Sequence, residues 1–343
     1  TGALIGHAGA GAPDVAAMYD HALATGGPAL RAMTFHDRAR MLKALAQYLS
    51  ARKDELYELS YLTGATKSDS WIDIDGGIGT TFVFASKGRR EMPDAHVYLD
   101  GDIEMLSRRG SFVGQHVCTP LQGVAVHINA FNFPVWGMLE KLAPTLLAGM
   151  PAIVKPATVT GYLTEAAFRM IIESGLLPDG AVQLVSGRLG PLLDMLGPQD
   201  AVSFTGSAAT GVMLRGTPNL LERSVRFSAE QDSLNATILG PDVMVGDPEF
   251  DLFIKEAAGE ITAKAGQKCT AVRRILVPEA LRQPVAEALR AALDDVAIGD
   301  PRLKEVGMGA LASGGQKQDV LAKCEMFKGE ARCIIGGKAP RLM

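Results

Sequence analysis

The sequence predicts an α/β protein in which a parallel sheet is covered on both faces by helices, followed by a second α/β unit. Three observations predict it. From residue 121 onward, short apolar runs alternate with stretches of helical period. The runs are nearly continuous in apolar residues, as strands buried on both faces must be. The connections between them are short, as βα units require. At 343 residues, against ~150 per domain, the chain has room for about two domains with substantial cores.

The elements follow in order. Thr34-Phe-His-Asp37 has the form of a capping box with Asp in place of Glu, and Met41, Leu42, Leu45, Tyr48 and Leu49 follow at helical spacing. A helical region is expected through Leu56 to Leu62 and another from Ser68 to about Lys87. Gly76-Gly77-Ile-Gly79 weakens the second, because glycine in a helix costs ~1 kcal/mol against alanine. Residues 104–119, with Arg108, Arg109 and the Phe112/Val113 alternation, read as a protruding hairpin. Strands are expected at Gly123–Ile128, Ala152–Pro156, Ala181–Val185, Ala201–Phe204 and Ser224–Phe227, with helices between them at Met138–Leu147, Thr164–Glu173 and Gly211–Leu221. The second unit opens with a strand at Asn235–Leu239 and runs through a helix from Pro248 to about Lys264. It then turns at Gly266-Gln-Lys-Cys269-Thr270 and returns as the strand Arg274–Val277.

Composition narrows the function. Hydrophobic residues make up 47% and charged residues 21%, a globular balance. A net charge of −4 from 34 basic and 38 acidic residues, with no basic stripe, argues against nucleic acid as a partner. No apolar run approaches the ~18 residues of a membrane helix, and the opening Thr1-Gly-Ala-Leu-Ile-Gly has no charged segment followed by an apolar one. A soluble, cytoplasmic protein is expected, although the first residue is not Met. Four scattered cysteines make no disulfide framework, and the dispersed histidines and cysteines suggest no metal.

Several residues carry chemical potential, each beside a plainer reading. Cys269 sits at a Gly-flanked helix-to-strand turn, where a nucleophile can be presented, or it is an ordinary buried cysteine. Cys118, Cys324 and Cys333 keep the buried reading. Glu230 ends the strand that begins at Val225, at the sheet edge where ligands bind, so it can serve as a base; Asp232 is a rival, and either can be a solvated turn acid. Asn132, between a strand and a helix, can donate its amide to a developing oxyanion or simply cap the helix. Phe204-Thr-Gly-Ser207, with Thr210-Gly211 one turn on, opens a helix directly after a strand and suits a pyrophosphate. The segment is not a GxGxxG fingerprint, and an unliganded turn is the alternative. Lys155 is a cation at another strand end, or a surface lysine.

Taken together, Asn132-Phe-Pro134, Val154-Lys155-Pro156-Ala157, Phe204-Thr-Gly-Ser207, the Glu230 segment and Gly266-Gln-Lys-Cys269 resemble the aldehyde dehydrogenase superfamily, in that family's order and over nearly the whole chain. Leu30-Arg-Ala-Met-Thr-Phe35, Asp75-Gly-Gly-Ile-Gly79, Val126–Pro134, Met138-Leu-Glu-Lys-Leu-Ala-Pro144 and Phe204–Gly211 look like its phenylacetate-degradation branch, whose members oxidise a CoA-linked semialdehyde. A benzoate-pathway CoA-semialdehyde dehydrogenase is the nearest competitor. The segment Ala229-Glu-Gln-Asp-Ser-Leu-Asn235 departs from the Glu-Leu-Gly-Gly of most members, as this branch does.

The resemblance implies an aldehyde dehydrogenase fold: a Rossmann-like doubly wound cofactor domain over 1–103 and 120–231, an oligomerisation hairpin at 104–119 and an α/β catalytic domain over 232–343. That last domain is expected to be incomplete, because the chain stops at Met343 before the family's Glu-x-Phe-Gly-Pro motif. No part of the branch's C-terminal hydratase-type domain appears. The catalytic residues implied are Cys269, Glu230 and Asn132, with Asn129, Lys155, Thr158, Phe204, Thr205, Gly206, Ser207 and Gly211 for the cofactor and no metal. Thr158 stands where NAD-preferring relatives carry a Glu on the adenosine ribose, which favours NADP while leaving NAD possible. The expected partners are a small, CoA-linked aldehyde and further copies of the chain. The alternatives from other classes are a non-catalytic fragment and a cysteine acyl transferase, the latter needing a His partner although no His follows His127.

Overall fold

The computed structural model of the chain describes residues 4–9, 11 and 13–336. α1 (Val15–His21) passes through a π-helical turn, Ala22–Gly26, into α2 (Gly27–Arg31). α3 (Phe35–Ser60) starts from a closed capping box, in which the Thr34 N–H donates to Asp37 Oδ2 at 3.0 Å and the Asp37 N–H donates to Thr34 Oγ1 at 3.1 Å. Asp therefore replaces the usual Glu without loss of reciprocity. Early in α3, Arg38 is fully buried and donates to the carbonyls of Leu30, Met33 and Leu147, so its charge ties together chain ends that would otherwise leave buried acceptors unmet.

α4 (Lys67–Arg90) runs unbroken through its glycines. Close packing explains them. A Cβ on Gly76 would lie 2.4 Å from the Trp136 ring, and one on Gly77 would lie 2.9 Å from the Trp136 backbone. What the glycines cost in helix propensity is offset by the approach of the next helix. β1 (Tyr98–Met105) and β2 (Val113–Cys118) then form an antiparallel hairpin, which starts earlier than the expected residue 104.

The main sheet holds β3 (Ala125–Ile128), β4 (Ala152–Lys155), β5 (Val182–Leu184), β6 (Ala201–Gly206) and β7 (Arg226–Gln231), all parallel, in the order β5-β4-β3-β6-β7. The chain winds outward from β3 on one side, then returns to wind outward from β6 on the other. That reversal sets the switch point, where ligands of such sheets bind, between β3 and β6. Between the strands lie α5 (Pro134–Leu147), α6 (Gly161–Glu173), α7 (Leu192–Met195), α8 (Ala208–Arg215) and α9 (Pro218–Glu222). The single helix expected over 211–221 is two helices, because Pro218 has no N–H with which to continue α8 and instead starts α9.

All of β3 is buried, and its residues alternate between two layers. Val126 and Ile128 join Val15, Ile153, Val202, Phe204 and Leu220 in one core. His127 faces the other way and shares a hydrogen bond with Thr145 of α5. Burial pushes its pKa down to about 3, so the imidazole is neutral. Asp200 pins the start of β3, where the Val124 N–H donates to its Oδ1 at 2.6 Å; the Gly197 N–H and the Tyr19 hydroxyl donate to its other oxygen.

By contacts the chain divides into two compact units, Thr1–Leu56 with Asp73–Gln231, and Tyr57–Ile72 with Asp232–Met343. Residues 57–72 therefore group by contacts with 232–343, whereas the resemblance implies a place for them with 1–103. Thr63 and Asp69 bond Lys264, and Gly64 lies against Ala310, which draws the segment into the second unit. There β8 (Asn235–Ile238) pairs in parallel with β9 (Val272–Leu276). The connection runs through α10 (Pro248–Thr262) and a 3-10 turn, Ala263–Gly266. Leu239, Phe250, Ile254 and Val285 make this unit's core, the last from α11 (Arg282–Asp294), and α12 (Gly314–Phe327) follows. Among the described residues no helix is long and apolar enough to cross a membrane.

Candidate active site

In the first unit the carboxyl ends of the strands gather polar groups at the switch point. Asn129 follows β3 and is 4% exposed; its backbone N–H donates to Lys155 O at 3.0 Å, but neither its Oδ1 nor its Nδ2 has a hydrogen-bond partner. Thr205 of β6 has a buried Oγ1 that also lacks one. Ile128 pairs with Phe204, so Asn129 and Thr205 each come one residue after that pair. Both fall on the face opposite the core that holds Ile128 and Phe204. A buried polar group left unsatisfied costs ~1–3 kcal/mol, and native folds keep few of them. Two side by side at a switch point fit a bound dinucleotide that supplies the missing bonds.

The neighbouring residues shape this edge. Ser207 is the N-cap of α8 and its Oγ accepts the Thr210 N–H at 3.3 Å, so the helix opens with its positive end at the carboxyl end of β6. The Phe204 ring is 3% exposed and lies in the core, leaving only its backbone for a ligand. Gly206 and Gly211 make room for protein: a Cβ on the first would meet the Phe204 ring at 2.6 Å, and one on the second would meet Gln231 Oε1 at 1.9 Å. Gly211 thus lets α8 approach β7. Lys155 ends β4 half-buried, and burial draws its pKa below the ordinary lysine value. Thr158 is exposed at the start of a 3-10 turn, Thr158–Thr160.

Asn132 is half-buried in the loop between β3 and α5, and the helix does not use it as a cap. Asp73, fully buried on α4, caps α5 instead, with the N–H groups of Val135 and Trp136 donating to its Oδ1 at 3.0 and 2.8 Å. Sequence reasoning missed Asp73, since a carboxylate inside one helix gives no sign of capping another. Glu230 is the penultimate residue of β7, exposed on this edge strand and in register with Thr205. The turn acid is its rival Asp232, at φ +24°.

The second unit carries Cys269, exposed between the 3-10 turn and β9. Its turn is strained. Lys264 and Ala265 both have φ of +53°, a left-handed conformation that costs non-glycine residues ~1–3 kcal/mol each. Such strain persists only where surrounding bonds over-determine it. Here the Lys264 N–H donates to Asp69 at 2.7 Å and its Nζ donates to Thr63 at 2.8 Å. The Gln267 N–H and Nε2 both donate to Lys264 O, and Arg273 donates to Gly266 O. An exposed thiol on a strained, tightly held turn departs from the inert buried cysteine. The buried reading also fails for Cys118 and Cys333, which are exposed, and for Cys324, which is half-exposed.

The chain matches the Aldehyde dehydrogenase family over residues 1–342. It belongs to that family. It is 43% identical over 325 residues to a 3,4-dehydroadipyl-CoA semialdehyde dehydrogenase of Aromatoleum evansii, covering 94% of this chain and 63% of that protein. It is 31% identical over 315 residues to the alpha-ketoglutaric semialdehyde dehydrogenase of Bacillus subtilis (strain 168), covering 90% and 61%. Among solved structures, the betaine aldehyde dehydrogenase of Staphylococcus aureus in complex with NAD+ superposes with a TM-score of 0.82 at 24% identity, over 95% of this chain and 62% of that one. A putative aldehyde dehydrogenase from Burkholderia cenocepacia gives 0.82 at 26% identity, over 96% and 64%. The chain thus spans 61 to 64% of the length of these relatives. The α/β fold and the family resemblance expected from the sequence both hold.

Proposed function

We propose that this chain carries the cofactor site and nucleophile of an aldehyde dehydrogenase that oxidises a CoA-linked semialdehyde of phenylacetate breakdown to its carboxylate. The observation that carries the proposal is the exposed Cys269 thiol on a strained and tightly held turn, in a chain of this family. The Cys269 thiolate attacks the aldehyde carbon, and the carbonyl electron pair moves onto oxygen, which the Asn132 amide and the Cys269 N–H stabilise. A nicotinamide held at the Asn129–Thr205 edge would supply the hydride acceptor needed to reach the thioester level. Glu230 then takes a proton from water as that water adds to the thioester carbon. The carbon–sulfur bond breaks, the carboxylate leaves and Cys269 returns as thiolate.

Asn129, Lys155, Thr158, Thr205 and Ser207 would hold the cofactor, with Phe204, Gly206 and Gly211 shaping that edge. The Thr158 hydroxyl can donate to a 2′-phosphate that a Glu there would repel, which favours NADP over NAD. Glu230 favours hydrolysis over transfer to free CoA, because it gives water a base. The exposed apolar hairpin residues Leu99, Ile103, Met105, Phe112 and Val117 support assembly into a homo-oligomer. The scattered cysteines support a reducing cytoplasm. A second substrate, 3,4-dehydroadipyl-CoA semialdehyde, is favoured by the 43% identity to the enzyme that carries its name. In the intact protein, Cys269→Ser lowers NADP reduction by about 10⁴-fold or more, as removal of a covalent nucleophile does. Turnover near the wild-type rate in that variant would defeat the proposal.

A further inference from the structure

We propose that Ser233 and Asn235 are positioning residues that hold the nucleophile's own peptide group, an inference that rests on the reading of Cys269 as the nucleophile. Ser233 Oγ donates to Cys269 O at 2.5 Å, and Asn235 Nδ2 donates to the same oxygen at 2.6 Å. The Asn235 amide also reaches Ala271 O at 3.2 Å and Ser233 Oγ at 3.3 Å. One carbonyl therefore receives two side-chain donors from a tripeptide more than thirty residues upstream.

The donor segment is itself fixed. The Arg274 guanidinium donates to Leu234 O, between the two donors, and pairing of β8 with β9 begins at Asn235 and Val272. Holding the Cys269 carbonyl fixes ψ at Cys269, and with it the direction of the Cα–Cβ bond that carries sulfur. The left-handed pair Lys264–Ala265 fixes the turn from its other end. The thiol is thereby gripped on both sides while staying exposed. Nucleophilic attack needs the reacting atoms ~3–3.5 Å apart, and a displacement of about 1 Å can cost ~10²-fold in rate. Ser233 falls at the second glycine of the Leu-Gly-Gly that most of the family is expected to carry after its Glu, a residue with no side-chain donor, and Asn235 follows two residues later. Ser233 is exposed and Asn235 half-buried, and neither belongs to the unit's core cluster, so truncating them removes the donors with little loss of packing.

The test uses the intact protein with NADP and 3,4-dehydroadipyl-CoA semialdehyde. Ser233→Ala and Asn235→Ala each lower kcat by about ten-fold while KM for both substrates stays within about three-fold, since the donors orient the thiol and touch neither ligand. Ser233→Thr keeps the hydroxyl and restores most of kcat. The double variant loses less than the product of the single losses, because both donors serve one oxygen. Amide exchange across residues 266–272 quickens in the alanine variants at an unchanged thermal midpoint. A kcat within about two-fold of wild type in both alanine variants overturns the proposal, as does a Ser233→Thr variant as slow as Ser233→Ala. Unchanged exchange over 266–272 overturns the clamp itself. Turnover retained in Cys269→Ser instead removes the nucleophile reading, an outcome that exchange in the Ser233 and Asn235 variants does not depend on.

Discussion

Around Asn129 and Thr205 the fold leaves hydrogen bonds unmade, whereas around Cys269 it makes more than an ordinary turn has. The two regions prepare for chemistry in opposite ways. At the sheet edge, buried polar atoms without partners cost folding free energy that a ligand bonding them would recover. At the nucleophile turn, an unfavourable left-handed backbone is held in place by Asp69, Thr63 and Gln267, and the carbonyl of Cys269 by Ser233 and Asn235. The first region suits binding, which tolerates adjustment. The second suits a bond-forming atom, which must already point the right way.

The largest effect that sharpens this contrast is expected at Asn132. Asp73 already caps α5, so Asn132→Ala lowers kcat by about 10²–10³-fold, the usual loss for an oxyanion donor, with no fall in the thermal midpoint. A fall in stability with kcat intact would return Asn132 to a structural role. A smaller change is expected at Thr158, where Thr158→Glu sets a carboxylate against a 2′-phosphate. It should lower kcat/KM for NADP by about ten-fold, with NAD changed by less than about three-fold. Equal losses with both cofactors would remove the NADP preference. Smallest, and opposite in sign, is Thr205→Val: it replaces a buried hydroxyl lacking a partner with a methyl of the same shape. Without cofactor the variant should gain about 1 kcal/mol in denaturant unfolding, while NADP binding in a titration weakens. Lower stability would mean that the hydroxyl is already satisfied.

The carboxyl edge of the main sheet was more fully legible in the sequence than the turn that carries Cys269. Short apolar runs, the helical spacing after Thr34 and the order of the motifs predicted the parallel sheet and put Asn129, Lys155 and Phe204–Ser207 at strand ends, because such patterns record local burial. Long-range polar bonds leave no local pattern. Asp73 capping α5, Arg38 reaching the Leu147 carbonyl and Asp69 holding Lys264 could not be read from any window of residues. The glycines of α4 weakened the case for a helix that the structure holds unbroken, since what they accommodate is Trp136, far along the chain. Cys269 stood out by its Gly-flanked turn, but the left-handed pair before it carries no glycine to announce it. Ser233 and Asn235 stood out only within a departure from the family pattern, and their bonds to the Cys269 carbonyl give that departure a physical content.

The most direct test of the account is the covalent intermediate itself. In the intact protein, Glu230→Gln mixed with NADP and 3,4-dehydroadipyl-CoA semialdehyde should give a burst of NADPH followed by slow turnover. Peptide mass analysis at the end of the burst should find the acyl group on Cys269 in an amount equal to the burst. No adduct, or an adduct on Cys118, Cys324 or Cys333 instead, would contradict it.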